Sequence, residues 1–184
     1  MSTPTSVALM LASLLALQSP EEFARADAAT RRLLPSAIVD LPAQVRRGLE
    51  ARGCTIPQRY GSDAPHNAVR GAFTAPGRIE WAVLCSRSGT SSILVLRERS
   101  GTLVAELGAR PDIRFLQRAG PWGIIFSREI SLAMPQAVRM LRSRETGRAQ
   151  PSINHDGIHD AFVDKYAFVW YWDGKRWLRV AGSD

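Results

Sequence analysis

The hydrophobic pattern changes period near Pro57, dividing the chain into a helical beginning and a β-rich remainder. The first apolar run, Val7 to Leu17, is uncharged and has the length of a signal-peptide core, too short to span a bilayer. Residues 1–18 are therefore read as an export signal. The flanks also suit an ordinary N-terminal helix: no Lys or Arg precedes the run, and the small-x-small spacing Ala26-Asp27-Ala28 lies beyond Glu21 and Glu22. Ser19-Pro20-Glu21-Glu22 is a capping-box start with proline at the first helical position, predicting a helix to about Leu34, ahead of Pro35. Asp40 and Pro42 repeat the signal, and Leu41, Val45 and Leu49 share one face of a second helix that ends at Gly53. This gives a helical segment over residues 19–53 and one β-rich domain over residues 54–184.

Within that domain, His66–Phe73, Glu80–Cys85, Ser92–Arg97 and Leu103–Leu107 read as strands, joined by short connections that each carry a glycine. Four sequential strands predict an antiparallel meander. A fifth is expected at Trp122–Ile130 and a basic helix at about Leu132–Arg144, which carries Arg139, Arg142 and Arg144. The fold class is thus α+β and mainly β, with two N-terminal helices, one basic helix and a C-terminal hairpin.

That hairpin is KYAFVWYWDGKRWLRV, two apolar runs about Asp173-Gly174. A two-residue loop places Trp172 opposite Lys175, Trp170 opposite Trp177 and Phe168 opposite Arg179 on one face. The other face pairs Tyr171 with Arg176, Val169 with Leu178 and Ala167 with Val180. If the aliphatic face packs on the core, Trp170, Trp172, Trp177, Lys175 and Arg179 form a binding platform able to stack rings and hold anions. If both faces are covered, the tryptophans are core.

Composition adds a direction. With 184 residues, 45% hydrophobic and 22% charged, the chain can bury a core of its own. The net charge is +7, and all but two of its 24 basic residues, Lys165 and Lys175, are arginine. This favours an anionic partner such as a glycan, a lipid surface or nucleic acid. Nucleic acid becomes the least favoured of these if the chain is exported. Cys54 and Cys85 would form one disulfide in an oxidising compartment and two buried thiols in a reducing one; they lack the CxxC spacing of zinc or thioredoxin-type sites.

One stretch carries candidate chemistry: PSINHDGIHDAFVDK, residues 151–165. Ser152, Asn154, Asp156, the Ile158 carbonyl and Asp160 have the alternate spacing of a calcium loop, with Gly157 at the bend and no glutamate at position twelve. The stretch is similar to the calcium loops of FG-GAP repeats, whose first aspartate is replaced here by Ser152. Two carboxylates imply weak calcium affinity at best. Gly77-Arg78-Ile79-Glu80 before WAVLC matches Gly157-Ile158-His159-Asp160 before AFVDK, a turn-before-strand design that needs no metal. HDGIH has the spacing of a zinc-protease helix, but glycine followed by a strand is the wrong backbone. His155, Asp156, His159 and Asp160 are also the candidate catalytic set of a metal- or His/Asp-dependent hydrolase, although no nucleophile elbow accompanies them.

GCTIPQ, NAVRGAF, EWAVLCSRSGTSSILVL, NHDGIHDAF and GKRWLRVAGSD together resemble an uncharacterised family of secreted bacterial proteins, over roughly residues 50–184. The resemblance implies export and supplies no catalytic residues. The expectation is a periplasmic or secreted binding module, without a transmembrane helix in the mature chain, whose partner is an anionic glycan or envelope component.

Overall fold

The computed structural model describes residues 20–149 and 152–182, so the signal-peptide reading of residues 1–18 lies outside the described residues. Helix α1 covers residues 20–29. It ends earlier than Leu34 because Arg32 folds back: its guanidinium donates to the Asp27 carbonyl at 2.7 Å and pairs with the Asp27 carboxylate at 2.6 Å. That leaves Arg32–Leu33 (β1) extended, and it pairs antiparallel with Ile56–Pro57 (β2) across α2, Ala43–Glu50. The same guanidinium reaches the buried Asp112 at 2.9 Å, which anchors this segment to the body of the protein.

Two four-stranded antiparallel sheets follow. In the first, Ala68–Gly71 (β3), Glu80–Arg87 (β4), Thr90–Arg97 (β5) and Leu103–Pro111 (β6) lie in sequence order, as the meander predicts. A short ribbon, Leu116–Arg118 (β7) with Ile124–Phe126 (β8), leads to the second. There Arg128–Ala133 (β9), Gly157–Phe162 (β10), Tyr166–Trp172 (β11) and Trp177–Ala181 (β12) again lie in order. The expected fifth strand, Trp122–Ile130, is therefore two strands in different sheets. The switch falls at Ser127: its N–H donates to Phe115 O, the next position of the β7–β8 register, whereas Arg128 already pairs with Phe162 of β10. Helix α3, Pro135–Thr146, begins with proline at its first turn and stops at Gly147, which takes the left-handed conformation.

The layers follow from side-chain alternation. Trp81, Val83, Cys85, Leu94 and Leu96 project from one face of the first sheet onto Val45 and Leu49 of α2. Ala82, Leu84, Ile93 and Val95 project from the other face and meet Ile130 and Ile158 of the second sheet, with Phe73, Phe115 and Phe126 filling the space between. Beyond the second sheet, Val169, Tyr171 and Val180 pack under Val138 of α3 and Ile153. The order is helix, sheet, sheet, helix. It explains why β4 and β5 are buried almost end to end instead of alternating: a strand covered on both faces is apolar on both.

Polar side chains fasten the sheets together. Asn67, buried in the left-handed region, donates to the Pro57 and Arg128 carbonyls and accepts from Ile130 N at 2.9 Å. Asp156 N donates to Ala72 O at 2.9 Å, and the Asp156 carboxylate accepts from Ala72 N at 2.8 Å. Cys54 and Cys85 are joined in a disulfide that ties the chain leaving α2 to β4. No helix of the described residues is long and apolar enough to cross a membrane.

The hairpin register differs from the two-residue expectation. Trp172 faces Trp177, Trp170 faces Arg179 and Phe168 faces Ala181, so the connection is Asp173–Arg176. The Asp173 carboxylate accepts from both Lys175 N and Arg176 N at 2.8 Å, and this side-chain turn draws four residues into the loop. The shift is two positions, which keeps every side chain on its expected face.

Candidate functional site: a pocket between the sheets

The aromatic face of the hairpin does not stand open as a platform. It is turned toward the first sheet, where Trp170 and Trp177 pack against the inter-sheet core, while the aliphatic face meets α3. What stays accessible is a pocket where this face approaches β6.

A bulge shapes one side of it. Ser91 pairs with Arg110 and Ile93 with Leu107, so Gly108 and Ala109 together oppose Ser92. Gly108 has φ +59°, and a Cβ there would lie 3.1 Å from the Trp170 ring and 3.2 Å from Arg128 Nη2. Glycine is needed on both counts.

The floor is a buried ion pair. Arg128, 0% exposed, meets Asp160, 8% exposed, through Nε to Oδ1 and Nη2 to Oδ2, each at 2.9 Å. Nη1 donates to Ser91 O and Ser91 Oγ, and Nη2 also donates to Gly108 O, all at 3.0 Å. Every N–H of the guanidinium is thus engaged. Phe115 lies against its face, with 4.3 Å from Cζ to the ring centroid. Trp170 Nε1 adds a third hydrogen bond to Asp160, at 3.2 Å to Oδ2.

Above this floor the cavity has a volume of about 340 Å³. Its walls are Phe115, Phe162, Tyr166, Phe168 and Trp170, with successive rings in contact from Phe115 to Phe162, Tyr166 and Phe168 at 5.6–5.8 Å between centroids. Two exposed arginines complete the lining, Arg110 from β6 and Arg179 from β12. Arg179 stacks on Phe168 at 4.4 Å and on Trp170 at 5.8 Å; Arg110 donates to Ala109 O at 2.9 Å. Neither makes an ion pair among the described residues. With one carboxylate against three guanidinium groups, the pocket carries net positive charge.

The structure distributes the sequence candidates unevenly. Trp170 and Arg179 line the pocket. Trp172 and Trp177 pair with each other, 5.9 Å between ring centroids, and Lys175 sits exposed in the hairpin loop. The calcium set does not converge. Asp156 caps Ala72 N, Asp160 holds Arg128, and the Ile158 backbone lies in β10, a central strand paired on both sides. Ser152 and Asn154 border a separate hollow beside Trp172. Among the described residues, no three His, Cys, Asp or Glu side chains gather to hold a metal.

The hydrolase set is split by the same strand. His159 and Asp160 project from opposite faces of β10, with His159 Nδ1 3.4 Å from Ser131 Oγ. His155 is buried with its Nδ1 3.0 Å from Asp156 O. Gly157 makes no bend either. It is the first residue of β10, and its missing side chain admits Val138 and Val169, 2.9 and 3.0 Å from where a Cβ would lie. Gly77, by contrast, has φ +72° ahead of β4, so the two stretches do not share one turn design.

Arg110, Phe115 and Arg128 escape the sequence reading, as does Gly108. Only Gly108 had a local signal, a lone glycine inside the strand pattern LVAELGARP, which marks a bulge or a close approach. A larger hollow of about 860 Å³ lies between α1, the 58–63 loop and Trp122; of its lining residues, Arg59 pairs with Glu129, and the Gln58 side chain bonds backbone at Ile56 and His66.

Compared with family models, with curated proteins and with solved structures, the chain matches none. Fold and site alone therefore define its class: a disulfide-closed domain of two antiparallel sheets between helices, with an aromatic pocket edged by arginines that make no ion pair among the described residues.

Proposed function

We propose that this protein is a non-catalytic binding module, exported to the periplasm or beyond, that holds an anionic glycan or another acidic envelope component in this pocket. The observation that carries the reading is Arg179, stacked on Phe168 and Trp170 without a carboxylate partner among the described residues. A guanidinium fixed by ring stacking keeps its N–H edge available for an anion. Aromatic walls with a few placed polar groups are the usual make-up of a ligand pocket. The Cys54–Cys85 bridge supports an oxidising compartment.

The test is a binding panel of acidic polysaccharides with neutral counterparts of the same backbone, run with the wild type and with Arg110→Gln/Arg179→Gln. Acidic members should bind, more weakly at high salt, and the double variant should lose them. Equal binding of neutral members, or no binding of any, overturns the reading. Binding to DNA or RNA with a steep salt slope would favour a nucleic-acid partner instead.

A further inference from the structure

We infer that the pocket takes a single terminal uronic-acid residue in one orientation, its hydroxyl edge down on Asp160 and its carboxylate outward between Arg110 and Arg179. This rests on the anionic-glycan reading above and adds to it the size and polarity of the ligand.

The polarity comes from counting donors and acceptors. Arg128 is the cation nearest the floor, yet all of its N–H groups are engaged within the protein. It offers nothing to an incoming anion. Asp160 is different. Its Oδ2 accepts from Arg128 and Trp170, while Oδ1 accepts from Arg128 Nε alone among the described residues. A carboxylate has about four lone-pair sites, so Oδ1 retains acceptor capacity, and Asp160 is one of the residues that line the cavity. An acceptor-only group there attracts O–H donors and repels anions.

The lining's exposed arginines, Arg110 and Arg179, are the ones without a carboxylate partner among the described residues. A fitting ligand therefore carries hydroxyls at one end and an acid at the other, with a ring between them to lie against Phe168 and Trp170. Sugar acids have this layout. Inorganic phosphate, with no separate hydroxyl edge, does not. Size points the same way: about 340 Å³ is at the small end of the roughly 300–1,000 Å³ typical of ligand pockets, which suits one sugar residue better than a tracked chain.

The experiment uses the full chain with its disulfide formed and follows Trp fluorescence and calorimetry. Its probes are methyl glucuronide, methyl galacturonide, the matching neutral methyl glycosides, uronate oligosaccharides of increasing length, and methyl uronides lacking one ring hydroxyl at a time. At least one methyl uronide should bind, and its neutral counterpart should bind about tenfold more weakly or worse. Affinity should stay within about twofold as the oligosaccharide lengthens. Removing one particular hydroxyl should cost about tenfold, and Arg179→Gln should weaken the uronide by a larger factor than the neutral glycoside, narrowing the difference between them. Equal binding of all deoxy uronides overturns the orientation. Affinity that climbs with length, or failure of both methyl uronides while acidic polymers still bind, overturns the single-residue site and leaves the broader reading standing. If no acidic glycan of any length binds, both fall.

Discussion

Arg128 and Asp160 form a two-point ion pair between adjacent strands of the second sheet, and the three remaining N–H groups of Arg128 reach across to Ser91 and Gly108 of the first. One side chain thus joins the two sheets and sets the floor of the pocket. Removing one member of a buried pair leaves the other charge without its counter-ion. Arg128→Met is expected to destabilise the fold by about 3–5 kcal/mol in urea denaturation. The double variant Arg128→Met/Asp160→Leu should lose less than the sum of its single variants. Additive losses would show that the pair is not coupled.

Arg179 and Trp170 should behave oppositely. Arg179 is exposed and makes no ion pair among the described residues, so Arg179→Gln should change stability by less than about 0.5 kcal/mol. Trp170 packs against the inter-sheet core and donates to Asp160, so Trp170→Ala should cost about 2–4 kcal/mol. Thermal unfolding of both variants checks this. A strongly destabilised Arg179→Gln would mark that side chain as structural.

The Cys54–Cys85 bridge spans a sequence separation of 31. In the loop-entropy account such a bridge stabilises by about 3–4 kcal/mol, so Cys54→Ala/Cys85→Ala should lose roughly that amount. Intact mass after alkylation without reduction should show no added label on the native chain. Two labels would place the protein in a reducing compartment and sink the export reading.

His66 makes stability depend on pH. Burial holds its imidazole below the usual value, outweighing the Ala64 carbonyl and Glu129, which act in the other direction. Its Nε2 accepts the Arg59 N–H at 2.8 Å, a bond that only the neutral ring can accept. The fold therefore binds the proton less well than the unfolded chain. The contribution is fully present above about pH 6.5 and is lost as pH falls through the lower folded value. Denaturation midpoints should decline on acidification through this window, less so in His66→Gln, and the His66 ring should titrate below 6.5 by NMR. Titration at or above 6.5 would refute the account.

Gly108→Ala tests the bulge. It combines a strained φ with contacts of 3.1 Å to Trp170 and 3.2 Å to Arg128, and should cost about 1–3 kcal/mol. Gly120→Ala, also at positive φ but with open space around its Cβ position, is the control for strain alone. Equal losses would mean that close approach contributes nothing at Gly108.

The sequence by itself determined whatever follows from local period and turn chemistry. It placed the meander from β3 to β6, the second-helix face of Leu41, Val45 and Leu49, and the two faces of the final hairpin. The hairpin faces survived a register error because a strand repeats every two residues, so a shift of two changes partners and not sides. Tertiary structure alone decided which face meets what. It turned Trp170 inward, divided Trp122–Ile130 between two sheets, and sent Asp156 and Asp160 to different partners. Arg128 was invisible among so many arginines because its partners, Ser91, Gly108 and Asp160, are 37, 20 and 32 residues away. No periodicity encodes a hydrogen bond made by a sheet closing on its neighbour.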